Sequence, residues 1–252
     1  MPLHLRLLLP SLCLGLGLGL GFIHPSGLIA GIALIGLLLY GNKLLPAALW
    51  FGLSLLACIA FATHLVPGFN ATPLWPARLL SADAAPYTLR LSWDKLLVGL
   101  TLLAWWLGQK SQPKPLSKGV WWSAALTLLG VPLMALGLGL VGWQPKWPEQ
   151  LWLWLTVNLA VAVLAEELLF RGLLQTHLVS RFGVRLGIGL TALLFAAVHL
   201  PFSPLFAVVA GVAGLGYGLI FHFSGRISLA ITLHGAVNLL HVLLLSYPLR
   251  AA

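Results

Sequence analysis

Long apolar runs separated by short polar segments dominate the hydrophobic pattern of the chain. A transmembrane helix needs about 20 apolar residues, with a range of about 17–25. The candidate runs cover residues 5–23, 28–41, 44–66, 95–108, 120–143, 151–170, 184–200, 204–222 and 226–247. Because the second and fourth of these runs are short, we predict eight or nine membrane spans.

The continuity of these runs decides between the two structures that can cross a membrane. Only helices and closed barrels satisfy the backbone hydrogen bonds within lipid. Barrel strands alternate apolar and polar residues, and these runs do not. The predicted fold class is therefore all-α, a polytopic transmembrane helix bundle. No small-x-small cleavage pattern follows residues 5–23, so we expect this run to be a retained helix and not a signal peptide.

Composition agrees with a membrane protein. Of the 252 residues, 60% are hydrophobic and 8% are charged, and the mean hydropathy is +1.00, whereas soluble domains carry about 25% charged residues. The net charge is +9, but most basic residues lie in short segments between apolar runs, as in the cytoplasmic loops of membrane proteins. We therefore expect a lipid bilayer as the surroundings and no nucleic-acid partner.

The distribution of basic residues also predicts an orientation. The segments 109–118 and 171–185 are separated by two spans, so both can be cytoplasmic loops. Their basic residues are Lys110, Lys114, Lys118, Arg171, Arg181 and Arg185. In a nine-span arrangement the N-terminus is then cytoplasmic and the long loop 67–94 faces outward. The compact size suggests a bacterial inner membrane.

Small residues indicate where helices pack closely, and polar residues indicate which part of the chain is functional. Gly214 and Gly218 have the small-xxx-small spacing that lets membrane helices approach closely. No long-period repeat is evident. We expect N-terminal transmembrane helices over residues 1–150 and a functional transmembrane core over residues 151–247, because the costly polar residues crowd into the second part. Cys13 and Cys58 lie in apolar runs and read as small buried hydrophobes.

Three polar patterns lie on successive apolar segments of the second part. They are Glu166-Glu167-Leu-Leu-Phe-Arg171, Phe195-Ala-Ala-Val-His199 and His234-Gly-Ala-Val-Asn238. A carboxylate near the bilayer centre costs about 2.5–3.5 kcal/mol on insertion scales. The chain has only five acidic residues, and two of them are adjacent here, so this placement needs a reason.

The helical spacing suggests how these side chains are used. Glu167 and Arg171 are four residues apart, so an ion pair along one helix face is easy to form. Glu166 points about 100° away from Glu167 around a helix with 3.6 residues per turn. We therefore expect Arg171 to neutralise Glu167 while Glu166 faces the interior of the bundle.

Each pattern taken alone has a structural explanation. An acidic pair can be a salt-bridged helix end, an intramembrane histidine can be a packing residue, and His234 with Asn238 can form a polar clamp between helices. Their joint occurrence on three neighbouring segments favours a functional site, because ionisable groups buried in membranes usually mark function.

At these residues the chain resembles the CAAX protease and bacteriocin-processing family, also called the Abi family. The family pattern is Glu-Glu-x-x-x-Arg, then Phe-x-x-x-His, then His-x-x-x-Asn or Asp, on successive transmembrane helices. All three elements are present here in that order. The resemblance covers roughly residues 151–245, while the preceding part is similar only in being hydrophobic.

The resemblance implies an intramembrane glutamate-type endopeptidase. Glu166 and His199 would hold and activate the attacking water, and His234 and Asn238 would stabilise the oxyanion. Glu167 and Arg171, with Phe195, would shape the site. The implied substrate is a membrane-anchored protein or peptide, and nothing in the sequence marks a prenyl pocket or specifies an oligomeric state.

Three alternatives stay open. Glu166, His199 and His234 would make a zinc set with an open fourth position, although no HExxH helix demands zinc and no cofactor is expected. A non-catalytic membrane scaffold or immunity protein would keep the packing glycines and tolerate loss of the polar centre. A proton-coupled transporter would use buried Glu and His as a relay, but the crowding of polar residues into one half disfavours it.

Overall fold

The computed structural model describes residues 1–110 and 113–251. In chain order the helices are α1 (Leu3–Gly19), α2 (Pro25–Leu44), α3 (Ala47–Ala62), α4 (Trp93–Trp106), α5 (Lys118–Gly137), α6 (Leu151–Val157), α7 (Leu164–Glu167), α8 (Thr176–Ala197), α9 (Pro204–Ser224) and α10 (Ile227–Leu244). Two π-helical segments, Asn158–Val163 and Leu168–Gln175, flank α7. The short strands β1 (Ala71–Pro73) and β2 (Arg90–Ser92) form an antiparallel pair.

Helix length and apolarity identify the segments that can cross a membrane. Among the described residues, five helical segments are long and apolar enough: Pro25–Leu44, Lys118–Gly137, Leu151–Ala197, Pro204–Ser224 and Ile227–Leu244. The apolar helices α1 and α3 are shorter. With 17 and 16 residues respectively, they lie at or just below the lower end of the range of about 17–25 residues for a membrane span. The all-α membrane bundle is confirmed, whereas the count of eight or nine spans is not.

The run from Leu151 to Ala197 differs from the prediction. We expected two spans joined by a cytoplasmic loop at 171–185, but most of that segment is helical. The helical geometry breaks at Gly183. Glycine adopts its φ of 78° easily because it has no Cβ. The loop prediction was wrong because it counted Arg171 as a loop cation, and Arg171 is fully buried.

The described chain divides into two compact units. Unit 1 consists of residues 1–74, 90–110 and 157–169. Within it, α4 packs against α1, α2 and α3 and against the segment that contains α7. Leu97, Val98 and Leu102 on α4 are fully buried in consequence. Cys13 and Cys58 are both buried free thiols, as the sequence predicted.

Unit 2 consists of residues 75–89, 111–156 and 170–252. Its central element is α9, which packs against α5, α8 and α10. A side chain on α9 therefore reaches residues from three other helices, and its glycines set how closely those helices approach. The predicted site residues in this unit are Arg171, Phe195, His199, His234 and Asn238.

Candidate active site

A cavity in unit 2 contains three of the predicted catalytic side chains. It has a volume of about 100 Å³ and is lined by His199, His234 and Asn238 together with mainly apolar residues from α5, α9 and α10. One buried water needs roughly 10–15 Å³ of such space. The cavity therefore has room for several waters or for a small group of a bound molecule, with two imidazoles and one carboxamide at its wall.

A backbone hydrogen bond fixes the tautomer of His199. Its Nδ1 lies 2.7 Å from the carbonyl oxygen of Phe195, four residues earlier. Since a carbonyl can only accept, Nδ1 carries the proton, and in the neutral ring Nε2 keeps a lone pair. His199 follows the end of α8 and is half-buried. A neutral imidazole held this way can accept a hydrogen bond from water through Nε2.

Aromatic rings hold His234 in place. His234 lies on α10 and is buried, and its ring stacks on Tyr217 of α9 with a centroid distance of 4.5 Å. Phe195 meets His234 edge to face at 6.0 Å and lies 4.7 Å from the ring of His199. Phe195 is itself buried. It therefore packs against both imidazoles and limits the motion of both.

Asn238 lies one helical turn after His234 on α10, so both side chains face the cavity from one helix. His241 follows on the same helix and also lines the cavity. Its Nε2 donates to the backbone carbonyl of Ser246 at 2.9 Å, because a carbonyl can only accept. This hydrogen bond gives His241 a structural use at the end of α10.

The segment after α10 borders the cavity through Leu245 and Leu249. The hydroxyl of Ser246 donates to Asp83 Oδ2 at 2.7 Å, and Arg250 Nε lies 3.3 Å from the same oxygen. Lys146 donates to the carbonyl oxygen of Leu245. Burial lowers the pKa of Lys146, while the negative charge of Asp83 opposes that shift. These bonds tie the C-terminal segment to the loops beside the cavity.

A second polar layer lies between the helix of Arg171 and α9. Arg171 is fully buried and donates from Nη2 to the carbonyl of Gly214 at 2.9 Å. Four residues later, Gln175 Nε2 donates to the carbonyl of Gly218 at 2.9 Å. The two donors and the two glycine acceptors share the same spacing, so the pairs repeat along the contact.

The glycines at these two positions permit the close approach that was predicted for them. A Cβ at Gly214 would lie 2.9 Å from Phe195 Cδ1, and one at Gly218 would lie 2.7 Å from Gln175 Oε1. The Arg171 guanidinium lies over the ring of Phe195, 4.6 Å from its centroid. Arg171 thus packs against the ring that contacts both imidazoles, and its site-shaping role stays a prediction.

Glu166 and Glu167 belong to unit 1, on the short helix α7. Glu167 is fully buried. Glu166 accepts a hydrogen bond from Lys95 Nζ at 2.7 Å, and their side chains are 19% and 22% exposed respectively. The π-helical segments on both sides of α7 have the irregular geometry that often occurs at functional sites. The predicted ion pair between Glu167 and Arg171 stays a prediction.

The predicted site residues thus fall into two groups. Unit 2 brings Phe195, His199, His234 and Asn238 to one cavity, and unit 1 contains the two glutamates. The use of Glu166 together with the imidazoles stays a prediction.

Three residues were missed by the sequence analysis: Lys95, Gln175 and Tyr217. Gln175 had a readable signal, because it is polar and lies four residues after Arg171 in an apolar run. Lys95 is the first basic residue of a predicted span, although the sequence does not name its partner. Tyr217 lies between the two packing glycines but carried no signal of its own.

The described part of the chain contains no group of three or more His, Cys, Asp or Glu side chains placed to hold a metal ion. The zinc set Glu166, His199 and His234 therefore stays a question for chelation and metal analysis.

The fold and the cavity define an integral membrane protein with a polar site among apolar helices. Residues 148–240 match the family model described as type II CAAX prenyl endopeptidase Rce1-like. This segment is a domain of that family, which is the CAAX protease and bacteriocin-processing family of the resemblance. The match contains every predicted site residue from Glu166 to Asn238. The match supports a membrane endopeptidase domain in this part of the chain.

Neither the curated proteins nor the solved structures give a match to this chain.

Proposed function

We propose that the protein is a glutamate-type intramembrane endopeptidase that hydrolyses a peptide bond in a membrane-anchored protein or peptide. The observation that carries the proposal is the cavity of unit 2, where His199, His234 and Asn238 line one space among apolar residues. The order of the three polar patterns and the family match at residues 148–240 support it.

The proposed reaction begins with a water held between Glu166 and His199. Glu166 takes a proton from the water while the water oxygen attacks the peptide carbonyl. The Nε2 lone pair of His199 accepts the second water hydrogen, which orients the nucleophile. The C–N bond then breaks, and the proton on Glu166 passes to the leaving amine. One water is consumed, and a carboxyl and an amine are released.

The carbonyl oxygen gains negative charge during this attack. We propose that His234 and the Asn238 amide donate hydrogen bonds to it. Loss of one such donor typically lowers kcat by about 100- to 1,000-fold. The stacking of Tyr217 on His234 and the packing of Phe195 support this role, because a preorganised donor needs no rearrangement when the charge develops.

The family description suggests the first substrate to test. CAAX tails are C-terminal segments with a prenylated cysteine, and the matching family is described as a CAAX prenyl endopeptidase. The first substrate to test is therefore an internally quenched peptide with a farnesylated CAAX tail. The unprenylated peptide is its matched comparison, because the sequence marks no prenyl pocket.

We also propose a bacterial inner membrane as the location, with the N-terminus and the mouth of the site on the cytoplasmic side. The supporting observation is the cluster of Lys110, Lys114 and Lys118 in the sequence between two apolar runs. Fusion of a reporter that is active only in the cytoplasm to the N-terminus tests the orientation. An inactive fusion, with a periplasmic reporter active at the same place, contradicts it.

The proposed function is tested most broadly by comparing protein termini in membrane fractions. Cells with the wild-type chain should contain new termini that are absent with Glu166→Ala. The matched control is Glu149→Ala, since the side chain of Glu149 is 90% exposed and lies outside the site. Termini that persist with Glu166→Ala at equal protein levels contradict the proposal.

Two alternatives are separated by direct assays. A zinc-dependent form of the same protease would use Glu166, His199 and His234 as ligands. It predicts loss of peptide cleavage on chelation and recovery with zinc, whereas full activity in a metal-free preparation rules it out. A scaffold or immunity protein predicts that a folded Glu166→Ala variant keeps the full biological function.

A further inference from the structure

The ion pair between Lys95 and Glu166 joins residues that lie 71 positions apart in the chain. Lys95 lies in the first turn of α4, and Glu166 lies on α7. Their Nζ and Oε1 atoms are 2.7 Å apart, and both side chains are mostly shielded from solvent. A charge-assisted hydrogen bond of this length orients both partners.

The position of Lys95 is not explained by the stability of α4. A cation in the first turn of a helix is disfavoured by the helix dipole, whereas an anion such as Asp94 is favoured there. A partly buried ammonium also loses hydration. The contact with Glu166 offsets both effects.

A close helix contact beside the ion pair fixes its geometry. Gly99 lies four residues after Lys95, on the same face of α4. A Cβ at Gly99 would lie 3.3 Å from the backbone nitrogen of Ala165, the residue before Glu166. The two backbones therefore approach closely one turn away from the ion pair, which sets the distance over which Lys95 reaches Glu166.

Other charged groups surround the pair. Asp94 lies next to Lys95 in sequence, accepts from the backbone nitrogen of Lys95 at 2.8 Å, and pairs with His64 at 2.7 Å. On the other helix, Glu167 follows Glu166 directly. Asp94 is thus bonded to His64 and to the α4 backbone, while the ammonium of Lys95 is bonded to Glu166.

We propose that Lys95 is a positioning residue that holds the carboxylate of Glu166 ionised and oriented for its role as general base. This inference rests on the proposed function, because it assigns Lys95 a role through Glu166. A cation at hydrogen-bond distance favours the charged form of a carboxylate. The ionised carboxylate can then take a proton from the nucleophilic water. Lys95 acts through Glu166 and does not itself touch the substrate.

Loss of the Lys95 ammonium should change the activity in a pH-dependent way. Without the ammonium, Glu166 is protonated at a higher pH and is inactive as a base below that pH. Above it the carboxylate is ionised again and, with no cation beside it, is at least as basic as before. Loss of Lys95 should therefore reduce activity at low pH and spare it at high pH. A merely structural role would lower the amount of folded protein at every pH.

The test uses the full chain in liposomes and the farnesylated CAAX reporter peptide as substrate. The acidic limb of the kcat/KM profile of Lys95→Gln should move up by about one to three pH units. At the wild-type midpoint, kcat/KM should fall by about fivefold or more, with recovery at high pH. Lys95→Arg should stay close to the wild-type profile, and Glu166→Gln should be inactive. A uniform loss at all pH values, or an unchanged profile in Lys95→Gln, overturns the proposal.

Infrared titration of the Glu166 carboxyl separates this proposal from the proposed function. The C=O band of protonated Glu166 is assigned by its absence in Glu166→Gln, and it should appear at higher pH in Lys95→Gln than in the wild type. If wild type does not cleave the peptide, or Glu166→Gln cleaves it equally fast, the proposed function fails for this substrate while the infrared result still decides the role of Lys95. If no Lys95 variant folds, a Glu166 that is protonated at pH 7 in the wild type overturns the proposal, and an ionised one supports it.

Discussion

The phenol ring of Tyr217 stacks on the imidazole of His234, with ring planes only 16° apart. The two residues lie on α9 and α10, which pack against each other in unit 2. Tyr217 is almost completely buried, so its ring is held firmly by its surroundings. A fixed ring on one face of His234 restricts the direction in which that imidazole can present a hydrogen bond to the cavity.

Replacement of Tyr217 by leucine should therefore slow catalysis more than replacement by phenylalanine. Ring stacking contributes about 0.5–1.5 kcal/mol beyond buried area, which corresponds to about two- to tenfold in rate. Tyr217→Leu should lower kcat by this factor with little change in KM, because the stacked ring acts on a donor to the transition state. Equal rates for the leucine and phenylalanine variants would show that the stacking does not support His234.

Gly214 should not tolerate a side chain. An added Cβ would lie 2.9 Å from Phe195 Cδ1, in the packed layer that also contains Arg171. Overpacking of this kind costs about 1–3 kcal/mol, so Gly214→Ala should lower the free energy of unfolding by that amount in detergent. The control is Gly189→Ala, because nothing lies within 4 Å of the added atom there. Equal stability of the two variants would contradict the close-packing account.

The contact between His64 and Asp94 should make the stability of unit 1 depend on pH. The hydrogen bond to Asp94 raises the pKa of His64, while burial and the charge of Lys95 oppose that shift. The folded state therefore favours protonated His64. This contribution is fully present below the ordinary pKa of histidine, about 6.5, and is lost as pH rises through the raised value.

Thermal unfolding between pH 5.5 and 9 measures this dependence. The melting temperature of the wild type should decrease across the raised pKa of His64, and His64→Gln should remove that decrease. His24→Gln, which changes another histidine of unit 1, is the matched control. A wild-type pH dependence that survives in His64→Gln would assign the effect to another group.

The residues of the cavity were predictable because their signals are local. Phe195 with His199 and His234 with Asn238 are each four residues apart in apolar runs, where a polar side chain stands out. The glycines at 214 and 218 carry a spacing with a direct packing meaning. Helical spacing and the family resemblance together led to these residues, and their roles in catalysis stay predictions.

The features that the sequence did not reveal depend on contacts between distant segments. The pairing of Lys95 with Glu166 spans 71 positions, and no periodicity connects the two residues. Arg171 was mistaken for a loop cation because the carbonyl of Gly214 that receives its hydrogen bond lies on another helix. The count of eight or nine spans is not confirmed, since a basic residue inside a helical segment looks like a boundary between two helices.

The central claim is that Glu166 and His199 act as one catalytic unit on a single water. Groups that act together show strongly non-additive losses when both are removed. Cleavage of the farnesylated CAAX reporter by wild type, Glu166→Gln, His199→Gln and the double variant, each in liposomes at equal folded amounts, measures this directly. We predict that each single change lowers kcat by at least about 100-fold and that the double variant is no slower than the slower single one. Retained activity in Glu166→Gln, or losses that multiply in the double variant, would contradict the account.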